Sequence, residues 1–241
     1  MHASLPMYDW PEIKNANHHF WEQLRTFALA IHPDLPLPDQ LKETSGLNIL
    51  SHWQDADLVF SQSCWGVLAL GLANEVEILA QPDYSDFQGG RGPYYRSAII
   101  ACQGERADPP KTPSASDFAG LFDGKRFAYN DRDSLSGFIA LAEDLSDQQI
   151  PLSQNTLETG SHRASVKAVI HGEADVAAID CRSWALAQAY EDKTDKLVVL
   201  GWTKERMGLP YITSKTTNSE IKSALRSALL ALGCYPSAVA D

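Results

Sequence analysis

Residues 125–145 read KRFAYNDRDSLSGFIALAEDL, and the change of period inside this stretch decides the fold. Phe127-Ala128-Tyr129 is a short strand, and Asn130 to Asp133 carries turn chemistry. From Ser134 onward Leu135, Phe138, Ile139, Ala142 and Leu145 recur at three-and-four spacing, one face of an amphipathic helix. A strand therefore runs through a polar loop into a helix that opens Ser134-Leu135-Ser136-Gly137. The first turn of a helix leaves N–H groups unpaired and carries the positive end of the dipole. Two hydroxyls and a glycine at that place form a candidate oxyanion site. The same residues also suit a plain connection in which Asp133 or Ser134 is only an N-cap. Asp131 and Asp133 would repel an anion if they pointed inward.

The theme recurs on both sides of this stretch. Upstream, residues 3–7 read as an opening strand, and Phe20, Leu24, Phe27, Ala28 and Ile31 as the inner face of a long helix ended by His32-Pro33. Residues 57–60 form a strand, Ser61-Gln62-Ser63-Cys64-Trp65-Gly66 a polar turn, and residues 67–73 an apolar helix. Strands follow at 75–80 and 94–101, separated by a Gly-rich loop. Residues 104–113 read as a loop and 116–121 as a short capped helix. Downstream, a strand lies within 150–159, and Gly160-Ser161-His162-Arg163 opens a helix stopped by Gly172. Residues 174–180 make a buried parallel strand. A helix over 184–190, strands at 196–201 and 211–213, and a closing helix over 218–232 complete the chain. Strands alternating with helices at this spacing give an α/β fold with parallel-rich sheets and flanking helices. Ligands of such sheets bind beyond the carboxyl ends of the strands, where Tyr8, residues 61–63, 134–136 and Asp180 fall.

At 241 residues the chain can bury a large core, in one domain or two lobes. A net charge of −11 and the lack of any Lys/Arg cluster exclude a nucleic-acid surface. An anion would be held by local dipoles and hydroxyls, not by the overall field. No apolar run reaches the length of a membrane span. The four cysteines are scattered without a CxxC, which suits buried thiols, and the histidines lack metal-ligand spacing. No cofactor motif is present. Asp180 reads either as a site residue or as the cap of the helix that follows it. Tyr94 and Tyr95 point to opposite sides of a strand, so one at most serves a ligand.

Tyr94-Tyr95-Arg96-Ser97, residues 130–137 (NDRDSLSG), residues 160–166 (GSHRASV) and residues 172–180 (GEADVAAID) stand in an order that resembles the phosphate/phosphite/phosphonate substrate-binding family of ABC transporters. The resemblance covers most of the chain from Met7 to Gly233. It implies a type II periplasmic-binding-protein fold, with two α/β lobes joined by two hinge strands and closing over an anion. Lobe one is then residues 1–97 with 201–241 and lobe two residues 98–200, the hinges lying near 97–102 and 197–201. It also implies that Ser134, Leu135 and Ser136 hold the ligand's oxygens, and that His162, beside Ser161, adds a donor. Asp180, Tyr8, Tyr94 and Ser63 line the rest. Leu135 stands where the family often has a threonine, which removes one hydroxyl donor.

The function expected is non-catalytic capture of a small phosphonate- or phosphate-like anion for an ABC-transporter permease, in the periplasm. The N-terminus shows no basic segment followed by an apolar one, the pattern of a secretory leader. A cytoplasmic setting therefore stays open, and with it two alternatives: an enzyme on the same fold resembling chorismate dehydratase, with His162 or Asp180 as acid or base, and a cytoplasmic ligand sensor. Against the enzyme, no nucleophile–base arrangement or metal set can be read from the sequence.

Overall fold

The alternating strands and helices resolve into two five-stranded sheets, each with its own helices and apolar cluster. The computed structural model describes residues 1–104, 114, 116 and 118–237. The chain divides into two compact units, Met1–Asp83 with Gly208–Asp241, and Tyr84–Met207. Elements are numbered along the chain.

The first unit contains β1 (His2–Ala3), α1 (Lys14–Ile31), α2 (Ile49–Trp53), β2 (Leu58–Gln62), α3 (Trp65–Ala69) and β3 (Val76–Gln81). The chain returns to it with β11 (Tyr211–Ser214), α7 (Ser219–Ala231) and β12 (Tyr235–Pro236). The strand order is β1-β2-β11-β3-β12. Trp21, Leu24 and Ala28 of α1 and Ile221, Leu225 and Leu229 of α7 pack on Phe60, Ala80 and Tyr211. Trp53, Leu68, Leu72 and Ile212 form a second cluster.

The second unit contains β4 (Tyr94–Tyr95), β5 (Ser97–Cys102), β6 (Phe127–Tyr129), α4 (Ala140–Asp147), β7 (Thr156–Glu158), α5 (His162–Ile170), β8 (Val176–Asp180), α6 (Cys181–Tyr190), β9 (Leu197–Trp202) and β10 (Arg206–Met207). Its sheet runs β7-β6-β8-β5-β9, and β4 and β10 form a separate antiparallel ladder. Ser97–Cys102 and Leu197–Trp202 pair antiparallel with each other inside this unit.

Both sheets are mixed rather than parallel-rich. β11 runs antiparallel to both β2 and β3, and β5 to both β8 and β9. The strands that crossover helices connect stay parallel, as β6 does to β7 and β8. One strand distant in sequence is interposed in each sheet, and pairing of that kind leaves no local signature.

Several local expectations shift for physical reasons. The opening strand is two residues, not residues 3–7. Helix α1 buries Asn17, Trp21, Leu24 and Ala28, while Phe27 and Ile31 are 44% and 48% exposed. The stripe 17-21-24-28 satisfies the helical period as well as the expected one, and Trp21 buries more apolar surface. The expected helix over 67–73 is α3 followed by a single 3₁₀ turn at Leu72–Asn74. Helix α2 went unread because only its cap is legible: Asn48 Oδ1 accepts from Ser51 N at 3.0 Å. Arg96 interrupts the strand expected over 94–101. The loop expected over 104–113 falls, apart from Gly104, outside the described residues, and the described part of 116–121 holds a turn at 119–121 and no helix. The cysteines are free, with Cys64 and Cys181 buried.

Candidate functional site

Strand β6 ends at Tyr129, and the chain turns through four polar residues before the next helix. Asp131 Oδ1 accepts from Asp133 N at 2.7 Å, and both aspartates are exposed, so neither crowds the helix start. Ser134 is the N-cap. Its Oγ accepts from Gly137 N at 3.2 Å.

The first turn is not α-helical. Leu135–Ile139 is a π turn, in which Ile139 N donates to the Ser134 carbonyl five residues back, at 3.0 Å. Such turns insert one extra residue and recur at functional sites. The insertion rotates the helix face. Ser136, Gly137, Ala140, Leu141, Asp144 and Leu145 are buried, in place of the expected stripe 135-138-139-142-145, of which only Leu145 is fully buried. Ser136 is thereby carried inside.

Gly137 is needed for packing. A Cβ there would overlap Asn130 Oδ1 and would lie 2.9 Å from Asn130 Cγ and 3.3 Å from His162 Cε1. Asn130 was read only as a turn residue, yet its Oδ1 is buried against this glycine without a hydrogen-bond partner.

Helix α5 packs on β8, β5 and β6 and brings its first residue to the same point. Ser136 Oγ and His162 Nε2 are 2.8 Å apart, and Ser134 Oγ lies 3.4 Å from Ser136 Oγ. Asp180, at the carboxyl end of β8, is buried; its Oδ1 caps α6 by accepting from Arg182 N and Ser183 N at 3.1 and 3.0 Å. Its Oδ2 lies 3.4 Å from His162 Nε2. Asp180 thus caps α6 through one oxygen and faces His162 through the other. Ser97 Oγ, at the start of β5, donates to the Ser136 carbonyl at 2.9 Å and fixes the turn from below. From sequence Ser97 stands only in the Tyr94–Ser97 motif and at the start of an expected hinge, with no contact to the turn foreseen.

Burial pushes the His162 pKa below the usual imidazole value, while the Asp180 carboxylate and the Ala178 carbonyl pull it back up. The cluster joins a serine, a histidine and an aspartate, but it is no catalytic triad. In a triad the carboxylate orients one ring nitrogen and the serine meets the other. Here both oxygens meet Nε2, which cannot take the Ser136 proton while donating its own to Asp180. What the cluster offers is hydroxyl and imidazole donors at a helix start.

The other residues expected at the site each have a local setting of their own. Ser161 caps α5, accepting from Ala164 N at 3.1 Å, and is exposed. Tyr94 is half-buried and lies under Arg91, whose guanidinium carbon is 5.7 Å from the ring centre. Tyr95 is the buried tyrosine of that pair, 5.6 Å from Tyr84. Tyr8 and Ser63 are buried in the first unit, where the Tyr8 carbonyl accepts from Asn17 and Ser63 N donates to Pro210 O. The Ser134–Ser136–His162 cluster belongs to the second unit. Among the described residues no group of His, Cys, Asp and Glu could hold a metal ion, and no helix is long and apolar enough to cross a membrane.

A family model for the periplasmic phosphonate substrate-binding proteins of ABC transporters matches residues 53–238. A search of curated proteins finds no match. Among solved structures, the chain is similar to PhnD1 from Prochlorococcus marinus in complex with methylphosphonate, at 17% identity and a TM-score of 0.68 over 96% of this chain and 84% of that one. It is also similar to a binding-protein component of an ABC phosphonate transporter from Pseudomonas aeruginosa, at 16% identity and a TM-score of 0.65 over 98% and 80%. A Xanthomonas citri protein bound to chloride ion gives 15% and 0.63 over 95% and 83%. At these identities the likeness carries the fold, that of type II periplasmic binding proteins.

Proposed function

The chain belongs to the phosphonate-binding family of ABC-transporter periplasmic substrate-binding proteins, and from that premise we propose that Ser134, Ser136 and His162 grip a phosphonate-type oxyanion. It is a solute-binding protein and not an enzyme. The observation that carries the site assignment is the joining of Ser136 Oγ and His162 Nε2, 2.8 Å apart, at the first turn that follows the Ser134 cap. The turn supplies positive dipole, the hydroxyls supply directed donors, and Gly137 leaves room for Asn130 and His162 to pack against the turn.

Leu135 serves by its place in the turn, not by its side chain. Asp180 acts through His162, holding the ring against Ser136. The methylphosphonate in the Prochlorococcus relative supports a small phosphonate as the cargo. The family's partner is a transporter permease, and we place this chain in the periplasm with that partner. We equate lobe one with Met1–Asp83 and Gly208–Asp241 and lobe two with Tyr84–Met207, in place of the bounds 1–97 with 201–241 and 98–200 expected from sequence.

Calorimetric titration with methylphosphonate, phosphite, phosphate and sulfate tests the reading. Binding of methylphosphonate by the wild type, weakened in Ser136→Ala and His162→Ala, supports it. If a carboxylate metabolite binds and none of these anions does, the ligand class is wrong.

A further inference from the structure

Strand β1 is held to the edge of the first unit's sheet by two residues of pairing and a buried polar cluster. Ala3 and Ser4 are fully buried. Their main chain is fixed by Ser4 N donating to Phe60 O at 2.9 Å and by Lys42 N donating to Ala3 O at 2.7 Å. Below the strand, Ser4 Oγ meets His52 Nε2 at 2.7 Å and Ser61 Oγ at 2.9 Å, and Trp53 Nε1 donates to Ser61 Oγ at 3.2 Å. The His2 ring lies over the His52 ring, centroids 4.6 Å apart, with its own Nε2 3.0 Å from Asp55 Oδ2.

We propose that His52 makes β1 an acid-sensitive latch: protonation of its ring releases residues 2–4 from the sheet while the rest of the first unit stays folded.

The cluster is built for a neutral imidazole. His52 is buried beneath the strand, with hydroxyls, an indole and a second imidazole around it. A charged ring there would lose its hydration without gaining a carboxylate in contact. Burial, then His2 of β1 and Lys42 of the connector, disfavour the charge; Asp55, after α2, favours it. The balance lowers the His52 pKa from 6.5 to about 4. Release of β1 hydrates the ring and restores its ordinary value, so the released state binds more protons between about pH 6.5 and 4. The latch therefore weakens as pH falls through that window, and below it the effect levels off. From these two values the release equilibrium rises by about 20-fold between pH 7 and pH 5. The strand can leave by itself because it is short, at the sheet edge, and held by one neighbouring strand and the single Lys42 N–H bond.

Hydrogen–deuterium exchange on the full chain, corrected for intrinsic rates, tests the latch. In the wild type, peptides covering residues 1–8 should lose protection by about 20-fold between pH 7 and pH 5, while α1 and α7 keep theirs. In His52→Gln the protection of residues 1–8 should be independent of pH. Unchanged protection in the wild type, or loss in step with α1 and α7, overturns the proposal. An NMR titration of the wild-type His52 ring adds a measure that needs no variant: titration near 4 with β1 docked agrees, and titration near 6.5 with β1 still protected rejects it.

Discussion

Gly137→Ala is the change that most sharply separates a built oxyanion site from an ordinary helix start. In an exposed helix interior this substitution is favourable by about 1 kcal/mol, because alanine restricts the unfolded chain. Gly137 already has a negative φ, so the backbone raises no objection. Space does. The new methyl overlaps Asn130 Oδ1, and Asn130 Cγ at 2.9 Å means that the whole amide, not only its oxygen, must swing away. His162 Cε1 at 3.3 Å must give by a few tenths of an ångström. Overpacking of this kind costs about 1–3 kcal/mol, and the propensity gain offsets part of it, leaving a net loss of stability of about 0–2 kcal/mol. Ligand affinity should suffer more. Displacing His162 from Ser136 disturbs at least one hydrogen bond to a charged group, worth about 1.5–3 kcal/mol, or roughly 10- to 150-fold in Kd for methylphosphonate. Calorimetry on Gly137→Ala gives that ratio, and a denaturant melt gives the stability. Asn130→Ala with Gly137→Ala removes the clash and should recover most of the affinity lost by the single glycine variant. A Gly137→Ala protein that binds methylphosphonate as the wild type does would refute the reasoning.

Other consequences are simpler. Ser136→Ala should weaken methylphosphonate binding by about 10- to 150-fold with the melting temperature nearly unchanged, by the same conversion. Burial lowers the His162 pKa and a bound anion would stabilise the charged ring, so binding should take up protons and tighten as pH falls through the titration range of the bound ring, by at most tenfold per pH unit; calorimetry in buffers of different ionisation enthalpy reads the uptake. Asp144 is fully buried, accepting from Arg206 Nη2 at 2.7 Å and Lys204 N at 2.5 Å. Asp144→Ala should cost about 3 kcal/mol in urea unfolding, since Arg206 then loses its buried carboxylate and keeps exposed Glu143 and the Glu205 carbonyl. Asp175 is held down to about 2 by Arg126, a depressed carboxylate whose contribution is present above its unfolded value and lost as pH falls from about 4 to 2. After allowance for solvent screening, Asp175→Asn should cost about 1 kcal/mol at neutral pH and nothing near pH 2.

What sequence could convey here follows from the range over which each feature acts. The Ser134 cap and the Asp180 cap are each set within three residues, and both were legible; for Ser161 only the helix start was read. The alternation of strand and helix was legible for the same reason, and so were the α/β class and, through the ordered motifs, the family. The π turn was not, because Leu135, Phe138 and Ile139 fit an ordinary helical stripe until the inserted residue rotates it. The antiparallel strand within each sheet pairs across long stretches of chain, and no periodicity reports that. Asn130 against Gly137 depends on how a side chain folds back over a turn, and the Asp144–Arg206 pair joins residues 62 apart. The meeting of Ser136 with His162 lay between these cases. Each was a candidate by its position, but only the packing of α5 on β8 brings them into contact.

A crystal structure of the chain with methylphosphonate is the most direct test. The phosphonate oxygens should lie within hydrogen-bond distance, about 2.7–3.0 Å, of Ser134 Oγ, Ser136 Oγ and His162 Nε2. A methylphosphonate bound away from the turn that opens at Ser134, with the Ser136–His162 contact intact, would contradict the assignment.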